Sequence, residues 1–381
     1  MSWLSKRFDH LLFEEYRVSV HFLGVFRILF CLGILLVTGL RNSAWMSGSS
    51  NYLFIPPFSV AIFFDHIPSL PWLVGLDALT WISILCLLFG FKTAYASVAT
   101  SILLIVQGSF LYSLGKVDHD ILYVLLPLAL AGSKWGAAYS IDASLAGSGD
   151  KTHRQEYQSW PVAIVSLLLC FGMFTSGFQK LTGGWLMLDS PAVHAHLVKN
   201  FFVGRRTDFL AETSLYLNNA TLWEIGDWVT VFFELGFLIA FFHRRLLRFF
   251  LLAAVFFHLA NFLMLNILYE TNFLVYLLFV PATVLTCKGP ITERLLSWFG
   301  SKIRLVVTVL VMGLWYILVQ YIGDTELRAF PSLTNFVGYL TDHSGRYVTA
   351  YTVIALTTFV LARVTGKAIG PTSDTLRQAT T

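Results

Sequence analysis

Charge is scarce in this sequence: only 13% of its 381 residues are Asp, Glu, Lys or Arg, where a soluble domain carries about a quarter. With 56% hydrophobic residues and a mean hydropathy of +0.69, the composition excludes a soluble globular protein. Cysteine is sparse too. Cys31, Cys86, Cys170 and Cys287 lie in or beside apolar runs, without the spacing of a disulfide framework or a zinc site, so no metal is expected. The formal net charge of +4 comes without a dense basic tract, which argues against nucleic acid as a partner. Walker loop, dinucleotide fingerprint, nucleophile elbow and HExxH are all missing. Mostly polar or amphipathic residues precede the first long apolar run, so no cleavable signal peptide is expected.

What the sequence has instead is long apolar runs and aromatic rings, 34 Phe and 11 Trp among them. A bilayer core of roughly 30 Å needs about 20 apolar residues per helix. That criterion gives ten candidate spans, near 18–40, 71–90, 92–114, 119–136, 160–180, 225–243, 246–267, 268–286, 303–322 and 348–364. The fourth is short and contains Pro127, so a re-entrant segment and a total of nine stay open. The expected fold class is therefore an all-α polytopic integral membrane helix bundle of 9–10 transmembrane helices. Alternating loops of the ten-span arrangement carry seventeen Lys and Arg on one side and eight on the other, with Arg27 inside the first span. Cytoplasmic loops keep the excess, so both termini are expected in the cytoplasm. Residues 1–17 place Trp3, Leu4, Phe8, Leu11 and Leu12 among charged residues, a pattern open to an interfacial helix or a disordered tail. The longest connection, 181–224, is too short for a soluble domain, so the chemistry belongs in or beside the membrane.

Ionisable side chains inside spans each cost roughly 2.5–3.5 kcal/mol on insertion scales and need a partner, a wet cavity or a function. Arg27, Asp77, Glu234 and His258 are of this kind, while Asp118, His119, Asp120, Lys180 and Glu270 sit at span ends on the non-cytoplasmic side of the charge count. Lys180 reads either as an interfacial lysine reaching for headgroups or as a partly desolvated amine able to act as a base. Asp118 and His119 read as a carboxylate-oriented imidazole or as a helix cap. His258 and Asn261, three residues apart, share a helix face, with Glu234 as a candidate partner. Arg27 has two candidate partners, Asp77 and Glu234. His194 and His196 read as loop histidines.

Read in order, several blocks resemble one family. Val25-Phe26-Arg27-Ile28 resembles its first-helix Phe-Arg pattern, and Asp118-His119-Asp120-Ile121 followed by Ser140-Ile141-Asp142 resembles a histidine segment with its trailing Ser-x-Asp. FTSGFQKLTGGW at 174–185 resembles a Gly-x-x-Lys-Leu stretch with a downstream Trp, here Trp185, and Phe257-His258-Leu259-Ala260-Asn261 resembles a His-x-x-Asn helix. The family is the horizontally transferred transmembrane (HTTM) domain family, which includes the membrane domain of vitamin K-dependent gamma-glutamyl carboxylase.

The resemblance implies a carboxylase-like transmembrane domain over 18–295, and the apolar runs set around it an N-terminal cytoplasmic or interfacial segment 1–17, two additional helices in 296–364 and a polar tail 365–381. It implies a membrane enzyme in which Lys180 is the base acting on a reduced quinone of the vitamin K or menaquinol kind, with His119 and Asp118 beside it. His258, Asn261, Glu234, Arg27 and Trp185 would line the cavity. The carboxylase's large lumenal portion has no counterpart in these 381 residues, so a partner chain supplying it is expected, besides membrane lipid and an amphipathic ligand. The expected setting is the cell membrane, the inner one in a bacterium, with the site facing the non-cytoplasmic side. The alternative is a non-enzymatic transporter or an export or immunity accessory factor, using the same polar residues for packing or ligand passage.

Overall fold

A computed structural model describes residues 3–39, 41–115, 120–146, 157–188, 191–267, 269–280 and 290–322. The expected span 348–364, the tail 365–381 and Cys287 lie outside the described residues, as do Asp118 and His119. The N-terminal segment forms a short helix, α1 (Trp3–His10), continued by a wider turn over Leu11–Glu15. The first span is α2 (Val20–Gly33) with its extension Ile34–Thr38, capped at its start by Ser19, whose hydroxyl accepts from the Phe22 amide at 3.2 Å. Two long helices follow, α3 (Leu70–Phe89) and α4 (Thr93–Leu111). Gly90 between them has φ +63°, a left-handed conformation natural to glycine, and ends α3. The short α5 (Ile121–Leu130) and α6 (Ile141–Ala146) lead to α7 (Trp160–Thr182). Beyond it lie α8 (Ala192–Phe202) and α9 (Ala211–Leu215), then the long pair α10 (Ala220–Ala240) and α11 (Arg244–Leu265). The described chain closes with α12 (Glu270–Tyr276), α13 (Pro290–Ser297) and α14 (Lys302–Ile322). A two-residue antiparallel bridge pairs Val18 with Gln158 and Ser19 with Tyr157, tying the starts of α2 and α7 together.

The architecture is the expected all-α membrane bundle. Among the described residues five helices are long and apolar enough to cross a bilayer, or six if the pair bent by 82° near Ser301 is one span. The predicted spans 119–136 and 268–286 appear as helices of roughly half that length, Ile121–Leu130 and Glu270–Phe279. Pro127 lies inside the first of them, where it removes one helical hydrogen bond. Helix α10 is long, but Glu224, Asp227 and Glu234 give it more acidic residues than a plain span carries.

The end of α5 leaves residues 131–140 as turns with Trp135, Ala138 and Ser140 buried, and the carbonyls of this stretch that face the bundle need donors. Arg27, fully buried about two turns into α2, supplies them: Nη1 donates to the Trp135 carbonyl at 2.7 Å and Nη2 to that of Tyr139 at 2.6 Å. The same segment carries Asp142, which accepts from the Lys92 and Thr93 amides, each at 2.8 Å, and caps α4. Asp77 is taken up elsewhere, by the Ser43 amide at 2.7 Å and Gln107 Nε2 at 2.7 Å. Arg27 thus pairs with neither Asp77 nor Glu234, and it lies away from the cavity it was expected to line.

Candidate functional site

Helices α7 and α10 form the most extensive pairing in the bundle, and glycine makes it close. A Cβ at Gly177 would stand 2.8 Å from Glu234 Cβ and 2.9 Å from the Leu235 amide nitrogen. That approach sets Lys180, three residues further along α7, opposite Glu234. Lys180 Nζ donates to the two carboxylate oxygens at 2.7 and 2.5 Å, and to the Ser176 hydroxyl, one turn earlier, at 2.8 Å. The pair is mostly enclosed, with side-chain exposures of 20% for Lys180 and 6% for Glu234. Past the end of α7, Gly183 and Gly184, the latter at φ +83°, turn the chain back so that the Trp185 ring lies 5.3 Å from the ammonium. The motif KLTGGW therefore has a local geometric reason for each part: cation, helix end, left-handed turn and ring.

These groups face a cavity of about 530 Å³, within the range of small-molecule sites. Its far wall is α11 and the start of α12. His258 is buried there, its Nε2 within 2.9 Å of the Tyr276 hydroxyl and its ring 4.4 Å from that of Tyr269. Asn261, one turn on, lines the same wall, as does Asn272. Met173, Phe257, Leu265, Ile121 and Leu122 supply apolar surface.

Ile121 and Leu122 open α5 directly after Asp120, the last member of the Asp-His-Asp triplet. Asp120 is fixed by Arg41, which also donates to the Tyr112 hydroxyl at 3.1 Å, and it faces the Thr271 hydroxyl at 3.4 Å. Burial alone would lower the pKa of Arg41, but Tyr123, Asp120 and Tyr112 more than offset that and hold it above its usual value. The structure thus brings Lys180, Glu234, Trp185, His258 and Asn261 to one chamber and leaves Arg27 out of it.

The cap over the chamber was not legible as structure. His194 and His196 are helical residues of α8, not loop histidines. Asp227 on α10 holds the start of α8 by accepting from the Ala192 and Val193 amides, each at 2.7 Å, so that Val193, His196, Lys199 and Asn200 face the cavity. Arg206 completes the rim. Lys199 and Arg206 entered the sequence reading only as charges for the side-of-membrane count. Ser176, Tyr269, Asn272 and Tyr276 carried no signal beyond polarity at helical spacing from Lys180 or proximity to Glu270.

The chemistry available is that of a mostly enclosed lysine and glutamate in short contact beside a cavity lined by both aromatic and polar side chains. Among the described residues no three His, Cys, Asp or Glu side chains come together as a metal site would need. The family model of the HTTM domain matches residues 16–286. No curated protein and no solved structure matches the chain at a significant level.

Proposed function

We propose, of a chain that belongs to the HTTM domain family, that it is a membrane enzyme in which Lys180 removes a proton from a quinol-like, lipid-soluble partner held in the cavity. The observation that carries this reading is the Lys180–Glu234 pair, a proton couple at 2.5–2.7 Å facing a chamber of amphiphile size. A buried ion pair of this kind is poor evidence for a stability role, since well-packed apolar residues would serve as well or better. The residues fit a reduced quinone: Trp185, Phe257 and Tyr269 offer faces for a ring, and Met173 and Leu265 offer surface for an isoprenoid tail. Such a group supplies a weakly acidic ring hydroxyl and reducing equivalents when bound.

The chain's own part is proton handling. When the proton between them rests on Glu234, Lys180 is an amine able to accept another. Ser176 keeps Nζ directed at the cavity in either state, and the Trp185 ring favours the ammonium once formed. His258, steadied by Tyr276, is a second proton-active group on the opposite wall. Asp118 and His119 are proposed as further proton-active groups of the same reaction. The proposal includes the topology, nine or ten spans with both termini cytoplasmic and the cavity on the non-cytoplasmic side of a cell membrane, the inner one in a bacterium. It also includes a partner chain contributing the lumenal portion.

The test is native mass spectrometry of quinones retained by detergent-purified protein, with quinol-dependent product formation measured alongside. Wild type should retain a quinone, and Lys180→Met in a Glu234→Gln background should stay folded without turnover. Full turnover in that variant overturns the role of Lys180. No retained quinone, even with menaquinone or vitamin K in excess, moves the weight to a transporter or accessory role, with the same residues serving ligand passage.

A further inference from the structure

The Lys180–Glu234 pair is electrically balanced, but the cap above it is not. Lys199 and Arg206 face the same cavity, and among the described residues neither has a carboxylate within ion-pair distance. Arg206 makes one long contact, from Nη1 to the Asn266 carbonyl at 3.5 Å. Asn200, between the two cations, adds a side-chain amide to the rim.

The loop that presents Arg206 is held in an uncommon shape. Arg205 has φ +50° and Phe209 φ +56°, and Asn266, which ends α11, has φ +51°. Asparagine is a common left-handed helix cap, but arginine and phenylalanine adopt that region rarely, and they hold it where surrounding contacts over-determine it. The contacts here form a clasp: Asn266 Oδ1 accepts from the Asp208 amide at 2.9 Å while Asn266 Nδ2 donates to the Asp208 carbonyl at 2.9 Å. At the other end Asp227 fixes the start of α8. Two devices on separate helices thus hold, at a cavity also lined by Phe257, Leu265 and Met173, two cations without an ion-pair partner among the described residues, and an amide.

From this we infer that the cap is a headgroup site, and that the cavity takes an amphiphile with an anionic oxyanion head, phosphate or carboxylate, gripped by Lys199, Arg206 and Asn200. A planar guanidinium and an ammonium lining one cavity suit oxyanions and offer little to a neutral quinone head. The inference rests on the proposed function only in sharing its cavity. The head-gripped amphiphile lies with its tail along the apolar wall and competes there with the tail of a quinol.

The experiment measures binding, not turnover, on the full chain in neutral detergent. Oleoyl lysophosphatidate and mono-olein share an acyl chain and differ in head charge. Wild type should prefer the phosphate lipid by about tenfold or more, the scale of one strong charge-assisted contact, and the preference should shrink at high salt. Lys199→Gln, at an exposed and unpaired side chain, should lose part of the preference, and Lys199→Gln with Arg206→Gln should reduce it to within about twofold. Oleate should behave like the phosphate lipid. Arg206→Lys reports whether the loop tolerates change at that position. Equal binding of the two lipids by wild type, or an unchanged preference in the folded double variant, overturns the inference. So does inorganic phosphate alone competing as well as the lipid, which would make the ligand a soluble anion. A preference that survives Lys180→Met with Glu234→Gln leaves the headgroup site standing whatever becomes of the quinol chemistry.

Discussion

Taking the cation away from Glu234 leaves a carboxylate enclosed at 6% exposure, and removing one member of a buried pair typically costs about 3–5 kcal/mol. Lys180→Met alone should therefore lower the melting temperature in detergent, and adding Glu234→Gln should restore most of it. If the single variant melts like wild type, the two side chains are not paired. Arg27→Leu is expected to cost about 2–6 kcal/mol, because two enclosed carbonyls each lose a donor worth about 1–3 kcal/mol. Per folded molecule, however, it should retain as much quinone as wild type, and a selective loss of retention would return Arg27 to the site. Lys180, Glu234 and His258 were legible because a titratable group in an apolar run must have a reason to be there. Arg27 was legible as special but not in its role. What it satisfies is the backbone of 131–140, and a need for hydrogen bonds in a distant turn leaves no mark on the sequence around residue 27. Lys199 and Arg206 were hidden differently, since a basic residue in a loop looks the same whether it reports topology or lines a cavity.

Helices α7 and α10 show how closely a glycine can control a site. Gly177→Ala puts a methyl group against Glu234 Cβ and the Leu235 amide, an overpacking of about 1–3 kcal/mol that should also disturb the Lys180 contact. Gly172→Ala on the same helix meets nothing within 4 Å, and alanine's better helix propensity should make it neutral or slightly stabilising. Thermal unfolding of the two variants side by side gives an internally controlled check. Equal melting temperatures would mean that α7 and α10 do not approach at Gly177. The long apolar helices were legible from apolar runs nearly to their ends, but the short helices were not. A hydropathy window reads composition and does not register where α5 stops, at Leu130. It also reads 268–286 as one run, where the regular helix is only Glu270–Tyr276 with a tight turn after it. Helix α8 was missed because Val193, Leu197 and Phe201 recur at helical spacing inside what was treated as a connection.

At the scale of the whole molecule the open quantity is sidedness. The excess of Lys and Arg on one set of loops predicts that α8 and its cap lie outside and the N-terminus inside. In a background freed of the native cysteines, Arg205→Cys should react with a membrane-impermeant thiol reagent on intact cells, while Ser5→Cys should react only after the membrane is opened. The reverse pattern would turn the whole arrangement over. The walls around Lys180 are themselves helices of a membrane bundle, and this sets the units in which the protein experiences its ligand. A lipid-soluble compound arriving between such helices comes from a sheet, so the occupancy of the cavity follows its mole fraction in that sheet and not its amount per litre. Diluting the sheet with inert lipid or detergent at constant total ligand would starve the cavity, while diluting the surrounding buffer would leave it supplied.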